Sequence, residues 1–426
     1  MEPVDELKAA IEANDAIAAA RVLDDHPELK ARLDEPLPHG SFGQTPLLAA
    51  VQHANRDMIE VLLRAGANIN QKSHWWAGGF HVLDDASREP WLASFLIDRG
   101  AAPEIHHAVR LGMTDEVGRM LAAKSDLIHA RGGDGQLPLH FAQSVEMAEL
   151  LLRHGADINA RDVDHESTAA QWMVRDRQEI ARFLVARGSR TDVLMAAALG
   201  DAALVARLLD ADPAAVRTSV RQEYFPKIDP RAGGTIYTWT LGAHKTAHIV
   251  AREFGHDDIF RLLMERTPDE MKLALACETG DDDLVQRLLA ARPDLVSSLT
   301  AGDRRRLADA AEQNNLAVVR RMLDAGWPVD VRGELNATPL HWAAFHGNAD
   351  MARALIDRHA PIDVKGDAYD GTPLQWAVHG SVHGWHCKTG NYPATVEALL
   401  AAGAEPPEIT AQFSGTDEVR AILERS

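Results

Sequence analysis

Residues 337–363 read ATPLHWAAFHGNADMARALIDRHAPID, and residues 44–70 read QTPLLAAVQHANRDMIEVLLRAGANIN. Set in register, both begin Thr-Pro-Leu, continue through a pair of small residues and a turn, and end in an apolar i, i+3, i+4 stripe. Thr before Pro is a helix start, because the hydroxyl caps the first turn and Pro needs no donor there. The stripe in DMIEVLL and DMARALI describes a second helix. In the earlier copy Gly66-Ala67 closes it, as a glycine just past a helix should. A helix pair this short cannot bury its apolar face alone, so the pattern predicts stacking of one pair on the next.

Two more copies follow the same register. Residues 136–159 read QLPLHFAQSVEMAELLLRHGADIN; residues 372–404 begin TPLQWAVHG and end VEALLAAGAE. This motif resembles the ankyrin repeat. Degenerate copies without Thr-Pro lie between them, at 6–23, 105–121, 193–209 and 273–289, and 409–423 fits the same template. The resemblance implies an all-α ankyrin-repeat solenoid over 1–426, a right-curving superhelical array of about twelve helix–turn–helix units with β-turn fingers. Residues 405–426 are read as a C-terminal cap.

Three stretches break the period. Residues 220–242, VRQEYFPKIDPRAGGTIYTWTLG, alternate β-formers with turn formers and predict one long β-hairpin finger, with Tyr237 and Trp239 on one face of its second strand. Residues 379–393, HGSVHGWHCKTGNYP, carry enough Gly and Pro to predict a loop inside the last full repeat. Residues 73–85, SHWWAGGFHVLDD, replace a finger and first helix.

The charge excludes some functions. With 44 Lys+Arg against 63 Asp+Glu the net charge is −19, which argues against a nucleic-acid or anionic-membrane surface. No apolar run is long enough for a membrane span, and the N-terminus lacks the basic and apolar regions of a signal peptide. Two cysteines form no disulfide framework and fit a reducing, cytoplasmic setting. The excess of Arg over Lys, 35 to nine, fits a GC-rich, bacterial genome. No phosphate-loop, Rossmann, nucleophile-elbow or H-E-x-x-H motif is present, and no cofactor or metal is expected.

Chemistry-bearing side chains gather in the irregular stretches. Every tyrosine lies in a finger or an insert, Tyr224, Tyr237, Tyr369 and Tyr392, as do Trp75, Trp76, Trp239 and Trp385. Amphipathic rings with a few polar groups are what a binding pocket needs; the plain alternative is that long fingers build their own small cores. His81, Lys227, Arg231, Lys245 and His383 join the ligand-binding candidates. Trp342 and Trp376, which occupy equivalent repeat positions, are candidates too, although packing between repeats explains them equally well.

The acid–base candidates are Asp84, Asp85, Asp164, His165, His244, His341, His346 and His379. Asp84 and Asp85 fall where the motif has Ala-Ala, so each charge must face the groove or find a partner. Asp162, Asp164 and Glu166 also read as turn and capping residues. His341, like His140, is a motif histidine that links neighbouring repeats. His379, His383, His386 and Cys387 are ligand types for zinc or copper, set among glycines that weaken a helical spacing.

Two functions follow. The resemblance implies a binding protein whose concave groove holds a protein or peptide partner. The alternative is a small polar ligand, carbohydrate- or carboxylate-like, held by the irregular stretches. Were that ligand a substrate, the chain would be a cofactor-independent hydrolase or lyase using His and Asp.

Overall fold

Each Thr-Pro step opens a helix. Thr45 caps Pro46–Gln52 by accepting from the Leu48 N–H, Thr338 precedes Pro339–Phe345, and Thr372 caps Pro373–His383. At the last of these Gln375 returns the bond, accepting from the Thr372 N–H at 2.8 Å, so two backbone donors are satisfied reciprocally. The second helices start on Asn: Asn55 caps Arg56–Arg64 and Asn348 caps Ala349–Ile356. The degenerate copies fold the same way. Residues 193–209 form Val193–Leu199 and Ala202–Ala211, separated by Gly200 at φ 77°.

The computed structural model describes residues 2–86, 89, 91–366, 370–408 and 415–425. Among these the protein is all-α, with only two isolated β-bridges, Arg161–Thr168 and Ser219–Thr246. No helix among them is long and apolar enough to cross a membrane. The chain divides into two compact units, Met1–Leu262 and Leu263–Ser426.

In the second unit the first helices Ala301–Glu312, Pro339–Phe345 and Pro373–His383 pack side by side. Leu307, Leu340, Leu374 and the small residues Ala343, Ala344 and Ala377 fill the space between them and the second helices, which contribute Met351, Leu355, Val396 and Leu399. Each buried Leu contributes about 1.5–3 kcal/mol over leaving it in water. The small residues matter as much, because they let neighbouring helices approach. Residues 409–414 of the expected cap lie outside the described residues. Asp417–Leu423 is helical and adds Val419, Ile422 and Leu423 to this core.

Two local expectations fail. The 220–242 stretch is a long finger but not a β-hairpin. Only its base is paired, with the Val220 N–H donating to Lys245 O and the His244 N–H to Val220 O, each at 2.9 Å. Beyond it TIYTWT turns helically, the Thr240 N–H reaching Ile236 O at 2.9 Å, and Thr238–Gly242 makes one π turn. Residues two apart then point to opposite sides: Tyr237 is fully buried and Trp239 is 72% exposed. They share no face.

Nor is 379–393 wholly a loop. Pro373–His383 runs through its first five residues and Tyr392–Ala401 begins at its end, leaving 384–391 irregular. Gly380 lies inside the helix because a Cβ there would meet Phe345 O at 2.4 Å. It marks a close helix–helix approach, not a break.

Candidate functional site

The second unit holds an apolar cleft of about 540 Å³ at the ends of its first helices. Trp342 and Trp376, one repeat apart, meet edge to face at 5.3 Å between ring centres. Trp385, from the irregular segment, lies nearly parallel to Trp342 at 6.0 Å and edge-on to Phe345 at 5.3 Å. His379 stacks on Phe345 at 6.5 Å, and His383 follows one turn later, 4.9 Å from His379. Leu335, Asp370 and Gln375 complete the wall. Burial pushes the His379 pKa down, and His383 adds to this.

Other members of this neighbourhood are structural. His341 uses both ring nitrogens: Nδ1 accepts from the Thr338 N–H at 3.1 Å, and Nε2–H donates to Gly371 O at 3.1 Å. Burial takes its pKa down to about 4. No nitrogen remains for acid–base work, so its place among the catalytic candidates is withdrawn. The His346 ring donates to Glu312 O at 2.8 Å and stacks on Trp342. Tyr392 is buried with its hydroxyl donating to Phe345 O at 2.8 Å; it braces the cleft from behind and is not a ligand contact. Tyr369 lies outside the described residues.

The first unit holds a polar cavity of about 550 Å³. Phe80, Phe141 and Trp172 line it together with Asp84, Arg110, Asp134, His140, Asp176 and Arg177. Arg177 is desolvated enough to bring its pKa down to about 10, with Arg110 nearby adding to the effect. Its Nη1 donates to His140 O and Ala142 O at 2.9 and 2.8 Å.

Asp84 has found a partner. Its Oδ2 accepts from the His81 N–H at 2.7 Å, and its Oδ1 faces His107 Nε2 at 3.4 Å. Burial opposes ionisation, but His107, the His81 N–H and Arg110 outweigh it and hold the Asp84 pKa near 2. His107 Nδ1 accepts from the Glu104 N–H at 3.0 Å, which places the ring's hydrogen on Nε2, toward Asp84. Behind them His106 Nε2 lies 3.2 Å from Glu104, itself paired with Lys72 at 2.6 Å. His81 is likewise committed: Nδ1 accepts from the Leu83 N–H and Nε2 meets Asn70 Oδ1, each at 3.2 Å. It is a core histidine and not a ligand contact. Asp85 is half-buried.

Two fingers, carrying Asp134 and Asp164–Glu166, and the two irregular stretches of this unit meet beside the cavity. The Trp75 indole N–H donates to Asp134 Oδ1 at 3.1 Å. Asp164 Oδ1 accepts from the Gly233 N–H at 3.1 Å, and His165 Nδ1–H donates to Gly234 O at 3.0 Å. Glu166 accepts from the Ile228 and Asp229 N–H groups at 2.8 and 2.7 Å, fastening the 220–242 finger. Arg231, tied to Asp229 at 2.7 Å, lies over Trp76 at 4.3 Å. Burial raises the Asp134 pKa to about 6, with Asp164 and Asp162 adding to it against His165.

The remaining candidates scatter. Tyr237 is a core residue, its hydroxyl donating to Asp192 Oδ2 at 2.9 Å. Lys245 is paired with Glu253 at 2.6 Å. Lys227 is exposed, Tyr224 half-buried, and His244 holds the finger base at φ 64°. Phe345 and Asp134 are central to their sites, yet sequence reasoning missed both. Asp134 had a readable signal: Phe42, Asp134 and Leu335 each lie three residues before a helix-start position and share φ of 55–57°. That left-handed fingertip is uncommon for residues other than Gly, and Asp is among the types enriched there.

The family-model matches fall on these same repeats. The family model for ankyrin repeats in three copies matches residues 307–411, and the single ankyrin-repeat model matches 42–74 and 134–163. The putative ankyrin repeat protein FPV230 of fowlpox virus is 31% identical over 135 residues, covering 29% of this chain and 70% of the viral protein. The E3 ubiquitin-protein ligase XB3 of rice, Oryza sativa subsp. japonica, is 38% identical over 86 residues, or 20% of this chain. The chain spans only 19% of the rice protein's length. The crystal structure of the ankyrin repeat domain of Bcl-3 matches at 26% identity and a TM-score of 0.26, over 43% of this chain and 86% of that one. The chain belongs to the ankyrin-repeat family.

Proposed function

We propose that this chain is a binding protein that holds a protein or peptide partner, and that the aromatic cleft of the second unit receives the partner's apolar anchor. The observation that carries this reading is Trp385: 67% exposed, yet held in place by Trp342 and Phe345 at the mouth of an apolar cleft. A rigid indole left in water beside a preformed pocket is the make-up of an interface hot spot. His379, His383, Gln375 and Asp370 give it a polar rim. The net charge of −19 favours a segment with basic flanks.

The test is selection of peptides from a random display library against the full chain, followed by anisotropy titration. Peptides with an apolar anchor should bind, and Phe345→Ala should weaken them at least about tenfold, or 1.4 kcal/mol. Peptides that bind equally well to that variant would rule out the cleft.

A second reading, a small polar ligand, draws on the cavity of the first unit, where Arg110, Arg177, Asp84 and Asp134 converge. A metabolite screen by thermal shift tests it, since a ligand at 100 Kd adds about 2.7 kcal/mol.

A further inference from the structure

Asp134, Asp164 and His165 each have one polar atom pinned from behind and one left over. The Trp75 N–H takes Asp134 Oδ1, the Gly233 N–H takes Asp164 Oδ1, and Gly234 O takes the hydrogen on His165 Nδ1. The last bond fixes the tautomer: in the neutral ring Nε2 is a bare lone pair. It faces Asp164 Oδ2 at 3.6 Å. One ligand atom from each of the three residues lies within 4.8 Å of the others.

This arrangement is unusual. The side chains of Asp164 and His165 are only 8% and 11% exposed. Asp164 Oδ2 accepts no hydrogen bond, and no Lys or Arg is paired with Asp134 or Asp164 among the described residues. Two carboxylates and an imidazole lone pair therefore converge, mostly buried, with no donor between them. Such a set is costly unless a cation fills it. Ligands at about 2.1 Å around a tetrahedral ion stand roughly 3.4 Å apart, close to the 3.6 Å between Asp164 and His165, and the Asp134 ligand atom lies within 4.8 Å of both. The outer bonds have the form of an outer shell that orients metal ligands. Asp134 also lines the first unit's cavity, so the cluster borders that cavity.

We propose that Asp134, Asp164 and His165 bind one divalent transition-metal ion, of the class that accepts mixed imidazole and carboxylate ligands, with zinc as its probe. The trio Asp84, His106 and His107 is not a second such site, because the His107 hydrogen already faces Asp84.

The test uses the full, untagged chain, stripped with chelator and reloaded with zinc. Elemental analysis should find about one zinc per chain. Asp164→Asn and His165→Ala should each lose it, and His379→Ala, in the other unit, should keep it. Cobalt should give visible d–d bands in the native chain and quench Trp172, whose ring lies 5.2 Å from that of His165. That reading needs no variant to fold. Zinc well below one equivalent in the native chain, zinc retained by both site variants, or cobalt without d–d bands would overturn the proposal.

Discussion

Trp385 lies over Trp342 with 23° between the ring planes and 6.0 Å between their centres. The two indoles differ sharply in burial, 67% against 3% exposed, so their truncations should separate function from stability. Trp385→Ala should leave the unfolding midpoint nearly unchanged and weaken peptide binding at least about tenfold. Trp342→Ala should cost about 3–5 kcal/mol of stability. Denaturant titrations beside anisotropy would check both; equal losses of stability would contradict the assignment.

Asp84→Ala replaces a charge by the residue that the repeat motif carries there. Substitution by a motif residue is ordinarily benign, but here it removes the acceptor of the buried His81 N–H, 2.7 Å away, and the charge that faces His107. Expected is a loss of about 1–3 kcal/mol, the cost of orphaning a buried polar group. A neutral or stabilising effect in urea denaturation would mean that the carboxylate contributes nothing to the fold.

Acid should weaken the protein through its buried imidazoles before the Asp84 carboxylate titrates. His81, His106 and His341 have pKa values of about 4, burial being the main cause in each. His81 and His106 face His107 and Lys72, which lower their pKa, and Asp84 and Glu104, which raise it; His341 faces Arg332. Unfolded imidazoles protonate near 6.5, so between 6.5 and 4 the unfolded state binds more protons and stability falls as pH falls. Asp84 has the lower window: its depressed pKa stabilises the fold above about 4, and this is lost as pH drops toward 2. Melting curves should show a falling midpoint from pH 7 to 5. Imidazole NMR signals of these three rings that titrate near 6.5 would refute this account.

Tyr237→Phe should cost about 0.5–2 kcal/mol, because its hydroxyl is the donor to a half-buried Asp192 whose pKa is raised by desolvation. Trp239→Ala, two residues on but exposed, should stay within about 0.5 kcal/mol. Comparable losses at both positions would restore the shared strand face that the alternation of TIYTWT predicts.

The repeat motif made the helices legible because its signals are local. A Thr hydroxyl caps a helix three residues away, an apolar stripe repeats within two turns, and Gly closes what precedes it. Those cues act over a few residues, and the helices they predict at 46–52, 339–345 and 373 onward are all present. The motif histidine His341 was legible as structure for the same reason. Where local cues conflicted, they misled. The glycines of 379–393 read as a loop, yet Gly380 serves a contact with Phe345, 35 residues earlier in the chain.

By itself, then, the sequence determined the ankyrin repeats and their helix pairs, since short-range capping and periodicity suffice for these. Only the tertiary structure decided which unusual residues meet. It placed Phe345 under Trp385, turned Tyr237 and Tyr392 into core residues, and brought Asp134 beside Asp164 and His165 from a separate finger. Those pairings depend on packing between repeats, where small residues and close backbone approach choose each side chain's neighbours, and no local pattern encodes that choice.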